Sequence, residues 1–186
     1  MKTILPKTLI DTTEIADPFF FLAGPDLGGG NWRERFCELL AKSLPEFYVV
    51  VPSWKPSECF LRTRVEGWTI NYRQTVWERY FRDIVNERSR RYKGCVVFWL
   101  PVEDREHPRD DGQPYARDTY GELGRWGVIA ALTSSHIVVG ADPGFPGIDV
   151  IQENLRGDFG KSPQDGFPIY STIEETVRQV VQWVKP

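Results

Sequence analysis

Gly94-Cys95-Val96-Val97-Phe98-Trp99-Leu100, followed after a polar loop by Asp118-Thr119-Tyr120-Gly121-Glu122-Leu123-Gly124-Arg125-Trp126, is the stretch whose reading decides the fold. The first run is too short for a helix and is dominated by β-favouring side chains, with no polar residue breaking it. That pattern predicts a strand buried on both faces, as in a parallel sheet. The loop from Pro101 to Arg117 is broken by Pro101, Pro108, Gly112 and Pro114. Beyond it Asp118 or Thr119 can cap a helix that continues through Val128-Ile129-Ala130-Ala131-Leu132. Glu122 is then expected in the first turn of a helix that begins at the carboxyl end of a central strand. In open α/β sheets ligands bind at that edge, and the helix dipole there favours a negative charge.

Outward from this unit the same alternation recurs. Pro18-Phe19-Phe20-Phe21-Leu22-Ala23 reads as a strand, Gly24-Pro25-Asp26-Leu27-Gly28-Gly29-Gly30 as a glycine-rich turn, and Asn31 as the cap of a helix with Glu34 as its capping-box partner. In that helix Trp32, Phe36, Leu39, Leu40 and Ser43 recur at helical spacing. The turn matches neither the dinucleotide fingerprint nor the P-loop. It either brings backbone N–H groups close to an anion or sugar, or is simply a tight connection.

Phe47 to Val51 is a second strand, and Ser53 to Thr69 a long irregular segment carrying Trp54, Phe60 and Trp68, expected as a lid or binding wall. Asn71 caps a long helix with Gln74 as its partner; Trp77, Tyr80, Phe81 and Ile84 form its apolar face, and the basic run ending in Arg88, Arg90 and Arg91 is expected to be solvated. Ser135 to Gly140 supplies a further strand. Ile148 to Leu155 fits a short strand or a short helix, Phe167 to Tyr170 a last strand, and Ser171-Thr172-Ile173-Glu174 the start of a closing helix. Strands alternating with helices predict a single α/β domain over residues 1–186, with a polar leader at 1–17 and a parallel sheet of about five strands covered on both faces, a three-layer sandwich.

Composition narrows the function. The chain has 186 residues, 41% apolar and 26% charged, with a net charge of −3. Those values suit a globular domain with a substantial core and leave no basic footprint for a nucleic-acid polymer. Three cysteines at no metal-like spacing, and two histidines without neighbouring ligands, argue against a metal site. No apolar run approaches membrane-spanning length, and with no apolar leader at Met1 to Lys7 the expected setting is the cytoplasm.

Helices that start at one sheet edge bring Gly24 to Asn31, Asn71 to Glu78 and Asp118 to Glu122 towards one cleft. Glu78 falls about 10 Å along its helix from Asn71 at 1.5 Å per residue, whereas Asp83 is farther from the edge. Two carboxylates across a small cleft are what glycosidic-bond chemistry requires, one as nucleophile and one as acid and base.

Taken together, Phe21-Leu22-Ala23-Gly24-Pro25, Trp32, Gln74-Thr75-Val76-Trp77-Glu78, Val97-Phe98-Trp99-Leu100-Pro101 and Thr119-Tyr120-Gly121-Glu122-Leu123-Gly124 resemble the nucleoside 2-deoxyribosyltransferase-like family over about Phe19 to Leu155. The resemblance implies a flavodoxin-like fold and an enzyme that cleaves or exchanges the N-glycosidic bond of a nucleoside or nucleotide, without a cofactor. It implies Glu122 as the nucleophile that forms a glycosyl ester and Glu78 as the acid/base carboxylate. Gly24, Pro25 and Asp26 would border the sugar, Asp118 or Thr119 would hold its hydroxyls, and Trp32, Gln74 and Trp77 would complete the substrate site. Homo-oligomers are implied as well, because family members often complete the cleft with a neighbouring subunit. Two departures stand out: Ala116 occupies a position that in some members contacts the sugar with an acidic or small polar residue, and the segment between Glu78 and Gly94 is longer by roughly two helical turns. They motivate an alternative of another class, a module that binds a nucleotide without turning it over.

Overall fold

The computed structural model describes residues 1–4, 10–13, 15–52, 70–162 and 164–185, with the side chains of 70–74 outside the description. Six strands, β1 (Lys2–Ile4), β2 (Phe19–Ala23), β3 (Tyr48–Val50), β4 (Gly94–Leu100), β5 (Ile137–Ala141) and β6 (Ile169–Tyr170), form one sheet. The helices are α1 (Trp32–Ser43), α2 (Ile70–Ser89), α3 (Arg117–Thr133), α4 (Ile148–Asp158) and α5 (Ile173–Val184). The order is β1-β3-β2-β4-β5-β6, and every pairing is parallel. Without β1 the order is that of the flavodoxin-like doubly wound sheet, so the expected three-layer α/β fold is the one observed.

Both faces of the central strands are covered, which is why their sequences are apolar without alternation. In β2 and β4, Phe19, Phe21, Val96, Phe98 and Leu100 enter a core shared with Phe81 and Val85 of α2 and Leu123 and Trp126 of α3. Phe20, Leu22, Cys95, Val97 and Trp99 point the other way, against Phe36 and Leu40 of α1 and Val177 and Val180 of α5. All seven residues of β4 are buried, and each large side chain so removed from water contributes roughly 1.5–3 kcal/mol. Gly94 begins β4 at φ 131°, and a Cβ there would run into the Phe19 carbonyl, so the two central strands meet at this point only through glycine.

Several expectations are corrected. The sheet has six strands rather than about five, because the first residues of the leader pair with β3, Lys2 opposite Tyr48 and Ile4 opposite Val50. Of the two forms left open for Ile148 to Leu155, the helix is the one observed. The basic end of α2 is not merely solvated: Arg88 donates to the carbonyls of Ile15 and Asp17 at 2.8 Å each, tying the leader down. Beside it the Ser135 hydroxyl donates to the Asn86 carbonyl at 3.0 Å, and the Ser89 hydroxyl accepts from the His136 N–H at 3.1 Å. These bonds dock the final turns of α2 onto the start of β5. Asn31 supplies no capping bond to α1; its side-chain amide instead donates to the Glu34 carboxylate. At α5 the expected cap does form, with the Thr172 hydroxyl accepting from the Glu175 N–H at 3.1 Å. The segment 53–69, with Trp54, Phe60 and Trp68, and the Asn71 cap lie outside the described residues and side chains. No helix among the described residues is long and apolar enough to cross a membrane.

Near the opposite end of the sheet His136 stacks on Trp183 of α5, with ring centroids 3.7 Å apart and planes 13° apart. Burial pushes the His136 imidazole down to about 4 from its ordinary 6.5. Between those values the unfolded chain takes up a proton that the folded one refuses, so stability present above pH 6.5 falls as pH drops towards 4. The expected loss is up to about 3 kcal/mol across that window, at about 1.4 kcal/mol per pH unit. Denaturant titrations of wild type and His136→Phe at a series of pH values check this: the stacked but uncharged phenylalanine should flatten the decline, and parallel curves would refute it.

Candidate active site

The chain leaves β2, travels out to β3 and returns through α2 to β4, so the reversal of strand order falls between β2 and β4. At the carboxyl edge of these two strands lies a cleft of about 760 Å³. One wall is the turn after β2. Gly24 has φ 149°, and any Cβ there would collide with the Trp99 carbonyl and the Trp32 ring. The turn is fixed from α1: Trp32 Nε1 donates to the Pro25 carbonyl at 3.0 Å, and Arg33 donates to the Gly24 carbonyl at 2.7 Å and the Pro25 carbonyl at 3.3 Å. Arg33 also lies 4.2 Å from the Trp32 ring centroid and pairs with Asp26 at 2.5 Å. The Asp26 carboxyl faces the cleft. Burial pushes its pKa up, Arg33 opposes that shift, and the nearby charge of Glu122 adds to it.

The other wall is made by α2 and α3. Nη2 of Arg82 donates to Glu78 Oε2 and to Glu122 Oε1, each at 3.1 Å. Both oxygens are held by one atom, so they lie no more than twice that distance apart. The Arg82 side chain is 3% exposed, against 12% for Glu78 and 31% for Glu122. Its guanidinium sits between the Phe21 and Trp126 rings, 5.1 and 5.2 Å from their centroids. Its Nε and Nη1 are buried without a hydrogen-bond partner among the described residues. Such unsatisfied donors cost about 1–3 kcal/mol each, which the flanking rings and the two carboxylates offset. The cation in turn offsets the repulsion that two facing carboxylates would otherwise suffer.

At the start of α3, Ala116 is the residue before the helix and adopts φ 55°, buried at the cleft. Because the helix begins at Arg117, Glu122 stands in its second turn, not the first, and neither Asp118 nor Thr119 is its cap. Thr119 is buried; Asp118 is exposed and pairs with Arg117 at 3.3 Å and Arg109 at 3.6 Å. Arg109 also grips Asp111 at 2.6 Å and so braces the loop from Pro101 against the helix start.

Seven of the residues expected at the site meet in this one cleft: Gly24, Pro25, Asp26, Glu78, Asp118, Thr119 and Glu122. Trp32 and Trp77 do not line it. Trp32 is spent on holding the turn from beneath, and Trp77 packs in the core at 4.9 Å from the Phe81 ring. The Gln74 side chain lies outside the described ones. Sequence reasoning missed Arg33 and Arg82. Arg82 had a signal, since it stands four residues after Glu78 and therefore on the same helical face.

No family model matches the chain, and no curated protein matches it in sequence.

Removing the guanidinium should leave two carboxylates opposed at a partly buried site. Arg82→Met, which preserves bulk between Phe21 and Trp126, is expected to lose about 1–3 kcal/mol of stability in urea titrations. Changing Glu78 and Glu122 to glutamine in the same background should restore most of it; no recovery would show that the pairing is not what Arg82 contributes.

Proposed function

We propose that this chain is an enzyme that cleaves or exchanges the N-glycosidic bond of a (deoxy)nucleoside or nucleotide through a covalent intermediate on Glu122. The observation that carries the reading is the convergence of Glu78 and Glu122, from separate helices, on one Arg82 nitrogen inside a cleft at the ligand-binding edge of the sheet. The distance bound on their oxygens suits the close pair, roughly 5 Å between carboxyl groups, that permits direct attack by one of them.

In the first step a Glu122 oxygen forms a bond to the anomeric carbon while the bond from that carbon to the base nitrogen breaks. The bonding pair leaves with the base, and Glu78, the more enclosed of the two carboxyl groups, is the candidate for supplying the proton. In the second step water or another base attacks the same carbon and gives its proton to Glu78, restoring the starting acid, as the bond to Glu122 breaks and Glu122 leaves as a carboxylate. Water gives hydrolysis; a base gives exchange. Asp26, Asp118 and Thr119 are the candidates for holding the sugar.

A module that binds without turnover draws support from one observation, the engagement of both carboxylates by Arg82. Incubation with deoxynucleosides or deoxynucleotides and a free acceptor base separates the two. Wild type should release or exchange base, and Glu122→Ala should lose at least about a thousandfold in rate. Equal rates would remove Glu122 from the mechanism, whereas binding without product in wild type would favour the module.

A cytoplasmic homo-oligomer belongs to the same proposal. Exposed apolar side chains on α2 and α3, Val76, Tyr80, Val128 and Leu132, support self-association. Light scattering should give a mass of at least two chains, and a monomer would contradict it.

A further inference from the structure

The charges around the cleft do not balance. Six arginines and four acidic residues line it, although the whole chain carries −3. Each of the four carboxylates already has a cation: Asp26 has Arg33, Glu78 and Glu122 share Arg82, and Asp118 has Arg109 and Arg117. Arg79 and Arg125 are left over. Both are exposed, and neither forms a hydrogen bond or ion pair with any described residue.

Their placement is specific. Arg79 follows Glu78 on α2, and Arg125 comes one turn after Glu122 on α3, about 4.5 Å farther along the axis. The two free guanidinium groups therefore flank the carboxylate pair from the two helices that carry it. A 5′ substituent on a nucleoside lies one furanose ring away from the bond under attack, within reach of a long side chain rooted next to either glutamate. Arginine matches a phosphate in both charge and geometry, its N–H groups meeting the oxygens pairwise. An isolated exposed arginine is ordinarily only solvated. Two of them facing one cleft, in which every carboxylate is already neutralised, leave a local excess of positive charge that attracts an anion.

We infer that the substrate carries a phosphate, so that the site takes a nucleoside 5′-phosphate in preference to the nucleoside, with Arg79 and Arg125 as its phosphate-binding residues. This rests on the glycosidic reading for the chemistry, but the charge preference is measurable without turnover.

The test compares a 2′-deoxynucleoside 5′-monophosphate with the same deoxynucleoside, using wild type, Arg79→Gln, Arg125→Gln and the double variant. The ratio of kcat/KM for nucleotide over nucleoside should be well above one in wild type. It should fall about tenfold for each substitution and further for both, since each removes a charge-assisted contact. In parallel, calorimetry on Glu122→Ala, with and without the two arginine substitutions, should show tighter binding of the nucleotide that weakens when the arginines are lost and when salt is raised. A wild-type ratio near one, or a ratio unchanged in the double variant, overturns the inference; the glycosidic reading then still stands if Glu122→Ala abolishes turnover. If wild type turns over neither compound the glycosidic reading fails, and the calorimetry alone decides: nucleotide preference lost with the arginines upholds the inference, and equal binding of the two compounds overturns it.

Discussion

One buried nitrogen, Nη2 of Arg82, ties the site together. It reaches from the middle of α2 to a carboxylate on its own helix and another on α3, each at 3.1 Å. Two carboxyl groups facing each other in a cleft are unstable neighbours, and the shared cation offsets their repulsion. The cation in turn is held by apolar surfaces, the Phe21 ring from β2 and the Trp126 ring from α3. Sheet, crossover helix and strand-following helix therefore meet at one side chain, and the spacing of α2 against α3 is coupled to the geometry of the two acids. Two of the Arg82 nitrogens, Nε and Nη1, have no partner among the described residues, a cost to stability of the kind found where polar groups are retained for function rather than for folding.

The opposite wall follows a different logic. There the backbone of the turn after β2 is drawn inwards by Trp32 and Arg33, whose side chains occupy the carbonyls of Gly24 and Pro25. Gly24 permits this because no Cβ fits between the turn and the Trp99 carbonyl. The result presents Asp26 to the cleft on a rigid support. Each wall thus has a buried arginine behind the carboxylate it offers, and the arginines that have no such duty, Arg79 and Arg125, are the ones left for a ligand.

Much of this architecture was legible in the residues. β2 and β4 announced themselves because a strand buried on both faces has no polar positions, and α5 because its valines repeat at helical spacing behind a Ser-Thr start. β1 was not legible: Lys2-Thr3-Ile4 carries too few residues for any period, and its pairing with β3 is decided by tertiary contact. The start of α3 was misjudged for a related reason. Asp118 and Thr119 are good caps by chemistry, yet the helix begins at Arg117 behind Ala116, whose left-handed backbone no propensity would favour. The convergence of Glu78 and Glu122 could be anticipated from topology, since helices that follow parallel strands start at one edge. Their joint grip by Arg82 could not, because it depends on which rotamers the Phe21 and Trp126 rings leave open. Aromatic content misled in the same way: Trp32 and Trp77 were expected in the substrate site, but an indole beside a glycine turn or within an apolar helical face is as readily a structural strut.

The central claim is chemical, that a Glu122 oxygen becomes bonded to a sugar carbon. The most direct measurement is the intact mass of the protein, acid-quenched after mixing with a 2-fluoro-substituted deoxynucleoside or its 5′-phosphate, which slows breakdown of a glycosyl ester, followed by peptide mapping. The account predicts a mass increase of one glycosyl group per chain, located on the peptide containing Glu122 and absent from Glu122→Ala. An unmodified mass under conditions in which base is released, or an adduct on another residue, would contradict it.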